Sequence, residues 1–84
     1  MPTETDVRVQ LRQFILTDLI RDSSFPLQDD EGIITDGLID SFALAQIGVF
    51  AEQAFGVYIP DPDLTVAKMD TLNLMVARIM RDVK

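Results

Sequence analysis

The residue types that most often perform catalysis are scarce in this chain. Its 84 residues include no histidine and no cysteine, so the commonest general base and the thiol nucleophile are both missing. A serine hydroxyl needs an activating partner, and Ser41 has no evident one in the sequence. We therefore expect a protein that is not an enzyme, and a small hydrolase using Ser41 is the weakest interpretation.

A cluster of acids suggests a metal site but has the wrong spacing. The run Asp29, Asp30, Glu31, Gly32 resembles the start of a calcium-binding loop. Such a loop requires an oxygen ligand at its fifth position and glycine at its sixth. Counted from Asp29, those positions hold Ile33 and Ile34. We expect no metal ion here.

One segment is suited to a different chemistry. The sequence from Gly37 to Phe42 places Asp40 and Ser41 at the predicted start of a helix. The free N–H groups and the dipole at a helix N-terminus favour a phosphate group. Ser41 is therefore a candidate acceptor for a phosphate-containing group, with Asp40 as the adjacent acid. The alternative is that Ser41 simply caps the helix.

Helical periodicity predicts the elements on both sides of this segment. Apolar residues at spacings of three and four predict a first helix over residues 5–21. A second helix is expected over residues 41–55, capped by Asp40 and Ser41 and ended by Gly56. The polar stretch 22–40 between them contains scattered apolar residues. Its length and composition predict a long loop that lies on the core.

Two further helices are expected after Gly56. Residues 61–68 predict only a short third turn or helix, because Asp61 and Pro62 suit a first turn. The last helix begins after Asp70, its predicted cap, and apolar residues recur at helical spacing from Leu72 to Val83.

The second helix has two apolar faces. Leu44, Ile47, Ala51 and Phe55 form the expected inward face at 100° per residue. The opposite face is unusually apolar for a solvent-exposed surface, and we assign it, together with the adjacent Ala45, to partner binding. Its candidate residues are Phe42, Gln46, Val49 and Gln53. The alternative is that Phe42 and Val49 belong to the core.

Size and charge restrict the class of protein. A mass of 9.4 kDa allows one domain, which we assign to residues 1–84. The net charge of −7 argues against binding to nucleic acid. Residues 18–40 hold seven acids and a single base, Arg21. This acidic segment is either a solvated loop or a surface that attracts basic partner proteins.

The sequence also indicates a cellular location. Residues 1–6 are acidic and lead into no long apolar run, so we expect neither a signal peptide nor a transit peptide. The most apolar stretch, residues 41–59, is interrupted by Glu52 and predicts a buried helix rather than a membrane span. The lack of cysteine suits a reducing compartment, and we expect a cytoplasmic protein.

The order and spacing of the motif residues along nearly the whole chain resemble those of the acyl carrier protein family, which includes aminoacyl and peptidyl carriers. The resemblance rests on the first helix with its apolar positions, the long loop, and the residues that follow it. The matching residues are Leu11, Phe14, Ile15 and Leu19, then Gly37-Leu38-Ile39-Asp40-Ser41, then Glu52 to Phe55, and Ile59-Pro60-Asp61.

This resemblance implies an all-α fold, a four-helix carrier-protein bundle with a long loop between the first two helices and a short third helix. It implies that Ser41 carries 4'-phosphopantetheine as a covalent cofactor. The thiol of this arm would hold acyl or aminoacyl groups as thioesters. The implied partners are a phosphopantetheinyl transferase, an acyl or aminoacyl ligase, and a downstream transferase or synthase. We expect a monomer acting in fatty acid biosynthesis or in secondary metabolism.

The second helix departs from the fatty-acid type of carrier. Where that type presents a run of acids, this chain has one, and Phe42 stands where leucine or methionine is usual. The positions compared are Ala43, Gln46, Glu52, Gln53 and Ala54. The motif is therefore more similar to D-alanyl or aminoacyl carriers and to stand-alone peptidyl carriers. The alternative function is a non-catalytic helical interaction module with an unmodified Ser41.

Overall fold

The computed structural model describes residues 2–83, and its first helix, α1, spans Glu4–Phe14. A capping box starts this helix. The Thr3 hydroxyl accepts the Asp6 N–H at 3.1 Å, and the Asp6 carboxylate accepts the Thr3 N–H at 3.2 Å. The helical path continues as a π-helical segment over Ile15–Ile20. The two segments together confirm the predicted first helix to within one residue at each end.

The π-helical segment was not predicted, and it ends in an unusual backbone conformation. Arg21 adopts left-handed dihedral angles, φ 63° and ψ 36°. The Leu16 carbonyl accepts hydrogen bonds from the N–H groups of both Arg21 and Asp22. These two bonds satisfy an end carbonyl that a helix otherwise leaves to water.

Helix α2 spans Ala43–Phe55. Gly56 ends it with φ 69°, as predicted, because glycine adopts left-handed angles without a steric penalty. The inward face is also confirmed: Leu44, Ile47 and Ala51 are buried, and Phe55 is partly buried against the core. Regular α-helix begins two residues later than expected.

The short third element is divided into two. A 3-10 turn spans Asp61–Asp63, and helix α3 spans Val66–Met69. The break falls at Leu64 and Thr65, whose backbone leaves the helical region. Asp63 accepts hydrogen bonds from Lys68 at 2.8 Å and from Arg78 at 3.0 Å, which lower the pKa of its carboxyl group.

Helix α4 spans Leu72–Asp82 and packs along α1. Its cap is Thr71, whose hydroxyl accepts the Leu74 N–H at 3.0 Å. The prediction that Asp70 caps this helix is therefore wrong. The Asp70 carboxylate instead binds the long loop, as described below.

All four helices contribute to one core, and so do the loop and the segment after α2. Residues 2–83 form helices and loops with no strand, so the predicted all-α four-helix fold with a long loop and a short third helix is confirmed. The fully buried large side chains are Val7, Leu11, Ile15, Ile33, Ile47, Val57, Met69, Leu72, Met75, Val76 and Ile79.

A glycine in α2 allows a close approach of the segment that precedes α3. A Cβ atom added at Gly48 would lie 3.1 Å from Leu64 Cδ1, closer than ordinary van der Waals contact. Leu64 thus packs directly on the middle of α2. None of the helices within residues 2–83 is long and apolar enough to span a membrane.

Candidate functional site

The candidate serine lies in a tight turn that leads into α2. The N–H groups of Ala43, Leu44 and Ala45 each donate to the carbonyl three residues earlier. The Asp40 carboxylate accepts the Ala43 N–H as well, at 3.2 Å. Asp40 is thus confirmed as a capping side chain, whereas Ser41 is not one. A 3-10 first turn explains why regular α-helix begins only at Ala43.

The Ser41 hydroxyl is left available by this arrangement. Its side chain is exposed, and within residues 2–83 it has no hydrogen-bond partner. The N–H groups of Ser41 and Phe42 likewise donate to no other group in the described part of the chain. The turn therefore presents a hydroxyl with two backbone donors close to it, which suits a bound phosphate group.

The loop before Ser41 is held on the core by apolar side chains. Leu27 and Ile33 are buried, and four more apolar side chains are partly buried against the core. Those four are Phe25, Ile34, Leu38 and Ile39. The expectation that the loop lies on the core is confirmed. The last apolar residue of the loop, Ile39, directly precedes Asp40, so its packing against the core holds the start of the candidate site in place.

Asp70 fastens the middle of the loop to the start of α4. Its carboxylate accepts the N–H groups of Ile34 and Thr35 at 2.9 and 3.0 Å, and the Thr35 hydroxyl at 2.8 Å. The Asp70 carbonyl accepts the Ile33 N–H at 2.8 Å. Burial raises the pKa of Asp70, but the bonds from Thr35 and Ile34 outweigh it, so the pKa lies below its usual value.

A second acid fastens the earlier part of the loop. Asp29 forms ion pairs with Arg8 and Arg12 of α1, and its carbonyl accepts the Asn73 N–H of α4 at 3.0 Å. Asp29 therefore links the loop to α1 and α4. The acids left exposed on the loop are Asp22, Asp30, Asp36 and Asp40.

A cleft of about 680 Å³ borders the turn that carries Ser41. One wall comes from the end of the first helical path, with Asp18, Leu19 and Arg21. The other wall comes from the loop end and the start of α2, including Asp40 and Ala43, which flank Ser41 and Phe42 on either side. Asp18, Leu19 and Arg21 were not among the candidate site residues predicted from the sequence. The loop and the end of the first helical path meet only in the folded chain, so no local pattern indicated these residues.

The outward face of α2 is exposed, as predicted. Phe42 is 84% exposed and Val49 54% exposed, and Ala45, Gln46 and Gln53 are exposed as well. The interpretation of Phe42 and Val49 as core residues is therefore wrong. Exposure alone leaves their assignment to partner binding a prediction.

A shallow cavity of about 370 Å³ lies along this face. Ala45, Gln46, Val49 and Gln53 line it, together with Phe14 and Phe50. The two phenylalanine rings stack at 4.4 Å between centroids, which joins α1 to α2 beneath the cavity. Phe14 and Phe50 were not among the candidate site residues, because helical periodicity does not show which side chains of two helices meet.

Comparisons with known proteins support the fold. No protein-family model and no curated protein matches the chain. Twelve chains of solved structures do match. One of them, described as "Crystal structure of FAD-dependent dehydrogenase", is similar with a TM-score of 0.70 and 22% sequence identity. The match covers 82% of this chain and 97% of that chain. At this level of identity the similarity shows a shared fold alone.

Proposed function

We propose that the chain is a carrier protein that holds acyl or aminoacyl groups as thioesters on a 4'-phosphopantetheine arm attached to Ser41. The observation that carries this proposal is the exposed Ser41 hydroxyl, free of hydrogen bonds within residues 2–83, directly after Asp40 in the first turn of α2. The resemblance of nearly the whole chain to the acyl carrier protein family supports it.

The attachment reaction is a phosphoryl transfer from coenzyme A. The Ser41 Oγ attacks the phosphorus that bears pantetheine, the bond from that phosphorus to the other phosphate breaks, and 3',5'-ADP leaves. The hydroxyl proton passes to a base of the transferase, because residues 2–83 contain no histidine and no side chain that is hydrogen-bonded to Ser41 Oγ. The carrier contributes an accessible nucleophile, and a separate phosphopantetheinyl transferase supplies the catalysis.

The function of the loaded carrier is presentation rather than chemistry. A thioester on a tethered arm meets each partner enzyme at a high effective concentration once the carrier is bound. The partners are an acyl or aminoacyl ligase and a downstream transferase or synthase. The single acid on α2, Glu52, favours an aminoacyl or peptidyl cargo over a fatty-acyl one. We place the monomeric carrier in the cytoplasm, where coenzyme A is available.

Intact mass measurement tests this proposal directly. The wild-type chain and the Ser41→Ala and Ser23→Ala variants are incubated with coenzyme A and a broad-specificity phosphopantetheinyl transferase. Wild type and Ser23→Ala should gain the mass of one phosphopantetheine, and Ser41→Ala should gain none. Ser23 is a matched control because it is also exposed in the structure.

A thiol assay provides a second readout. The chain has no cysteine, so a thiol-reactive dye should label the apo form at no site and the modified form at one. Modification of Ser41→Ala, or no modification of wild type, would contradict the proposal.

The second candidate is an interaction module with an unmodified Ser41, which the strong exposure of Phe42 and Val49 favours. Such a module would bind a partner helix on the outward face of α2. The same mass measurement separates the two candidates, because only a carrier gains the arm.

A further inference from the structure

One basic side chain differs from the others described in the structure. Residues 2–83 contain six basic residues, and five of them form ion pairs with carboxylates within 4.0 Å. Arg21 is the exception. The five paired residues are Arg8, Arg12, Lys68, Arg78 and Arg81.

The absence of an ion pair at Arg21 is notable because acids surround it in the sequence. Arg21 is the single base among seven acids in residues 18–40, and Asp18 lines the same cleft. The left-handed backbone of Arg21 takes its side chain off the helical path, on which an acid three positions earlier would be a neighbour. Within residues 2–83 the Arg21 guanidinium forms neither an ion pair nor a hydrogen bond, so its donors are available for another anion.

The backbone at Arg21 is also unusual. It is the one non-glycine residue within residues 2–83 that has a positive φ angle. Helices that end in this conformation normally use glycine or asparagine at that position, because other side chains are sterically disfavoured there. A glycine would satisfy the turn and would remove the charge from the cleft.

Arg21 and Asp40, the residue directly before Ser41, line the same cleft. Arg21 lies on one wall, and Asp40 and Ala43 on the other wall flank the turn that carries the serine. A phosphodiester on Ser41 would bring a negative charge next to Asp40, with Asp18 on the opposite wall. Since like charges disfavour that arrangement, a cation in the cleft stabilises it, and a guanidinium matches phosphate oxygens with two parallel hydrogen bonds.

We propose that Arg21 binds the phosphodiester of the arm on Ser41 and directs the first part of the arm over this cleft. The inference rests on the proposed function, since it requires the arm to be attached. It adds a residue from the end of the first helical path to a site otherwise built from the loop and the start of α2.

Phosphorus-31 NMR of the modified protein tests the contact. Wild type, Arg21→Gly, Arg21→Lys and the control Arg81→Ala are each converted to the phosphopantetheine form, and the chemical shift and relaxation rate of the single phosphodiester are recorded. Arg21→Gly suits the left-handed backbone and so keeps the fold. Arg81 is a fair control because it is exposed and paired with Asp82 at the far end of α4.

The contact predicts a specific pattern. In Arg21→Gly the phosphorus signal should move to the shift of a phosphopantetheinyl serine in a disordered peptide, and the phosphate should reorient at least twofold faster. Arg21→Lys should restore part of both effects, and Arg81→Ala should match wild type. Added salt should move the wild-type signal toward that of Arg21→Gly, because an exposed ion pair is screened.

Two outcomes overturn the inference, and they are distinguishable. If Arg21→Gly and wild type are modified and give the same shift and relaxation, Arg21 has no contact with the arm, whereas the carrier function stands. If wild type gains no phosphopantetheine in the mass spectrum, the proposed function and the role of Arg21 fail together.

Discussion

The Asp40 side chain combines two properties that a substitution can separate. It accepts the Ala43 N–H and so caps the first turn of α2, and it places a carboxylate next to Ser41. Capping concerns stability, whereas the charge concerns the approach of a transferase. Asparagine keeps an oxygen acceptor without the charge, and alanine removes both.

We expect Asp40→Ala to lower the free energy of unfolding by about 1 kcal/mol, the usual effect of losing a cap. The same variant should be modified by the transferase more slowly than Asp30→Ala, because Asp40 is adjacent to the reacting hydroxyl in the sequence, whereas Asp30 is an isolated, exposed loop acid. Chemical denaturation and the initial rate of mass gain measure the two effects.

Asp40→Asn assigns the kinetic effect to one property. If Asp40→Asn is modified slowly but has near wild-type stability, then the charge of Asp40 affects the rate of modification. Equal modification rates for Asp40→Ala and Asp30→Ala would mean that only the overall charge of the acidic loop affects the transferase.

At the scale of elements, the long loop depends on Asp70 for its attachment to α4. Three hydrogen bonds to one carboxylate hold Ile34 and Thr35, and these bonds favour the ionised form. The pKa of Asp70 is therefore lower in the folded chain than the value of about 3.9 in an unfolded one. This contribution to stability is complete above the unfolded pKa, and it is lost as the pH falls through the lowered folded pKa.

We expect Asp70→Ala to lower the free energy of unfolding at pH 7 by about 2 kcal/mol, since its bonds are charge-assisted. Asp70→Asn should be less sensitive to acid than wild type, with the two stability curves converging as the pH drops below about 4. The measurement is urea denaturation at a series of pH values, with Asp30→Asn as the control for a loop charge.

Asp63 and Asp82 also have lowered pKa values, through hydrogen bonds from Lys68 and Arg78 respectively, so wild type keeps some acid sensitivity in every variant. The difference between wild type and Asp70→Asn isolates Asp70. Parallel curves for these two proteins would show that Asp70 does not stabilise the loop through its charge.

The outward face of α2 supports a different prediction. If partner binding uses Phe42 and Val49, then Val49→Asp should lower the rate of loading by the native ligase at least tenfold, because an unpaired charge would be buried at the contact. Val9→Asp is a matched control, since Val9 on α1 is also 54% exposed. Circular dichroism should show that both variants remain folded.

Salt dependence checks the same point. Loading that relies on apolar contact should change little from low to physiological salt, because few close ion pairs are screened. A folded Val49→Asp that loads at the wild-type rate, or a steep fall of wild-type loading with salt, would show that charge selects the partner.

Structural features that depend on residues close together in the sequence could be predicted. Features that depend on contacts between residues far apart in the sequence could not. The periodicity of α2 predicted the burial of Ile47 and the exposure of Val49, and Gly56 predicted the end of the helix. Asp70 and Thr71 are both good caps for α4. Asp70 instead binds Thr35, a residue 35 positions away that no local pattern connects to it.

The candidate site divides in the same way. Asp40, Ser41 and Phe42 are consecutive, so their motif predicted a helix start with an exposed serine. Arg21 and Phe14 join their respective cavities only through tertiary packing of the first helical path against the loop and α2. The π-helical segment that precedes Arg21 has no sequence pattern that distinguishes it from ordinary helix.

At the scale of the whole molecule, one small core holds every element together. Chains of this size bury only about 60% of the surface that unfolding exposes, so each buried side chain is a large part of the total stability. Ile47 is fully buried, and Val49, two residues later on the same helix, is more than half exposed.

We expect Ile47→Ala to lower the free energy of unfolding by about 3 kcal/mol, through lost burial and the cavity left behind. Val49→Ala should change it by less than about 0.5 kcal/mol. In a domain of this size the first value corresponds to a decrease in Tm of roughly 12 to 24 °C, which differential scanning calorimetry resolves. Similar Tm values for the two variants would contradict the packing of α2 described above.

Asp29 attaches the acidic loop to α1, and Asp70 attaches it to α4. These two attachments also fix the direction of the charge asymmetry within the molecule, and this direction determines how the molecule turns in an electric field. Residues 18–40 carry seven acids and one base, whereas the rest of the chain carries seven acids and six bases. Because the loop is held in place, this asymmetry gives the protein a directed field that exerts a torque on an approaching basic surface. Rotation before contact would bring the loop, and with it Ser41, toward the partner first.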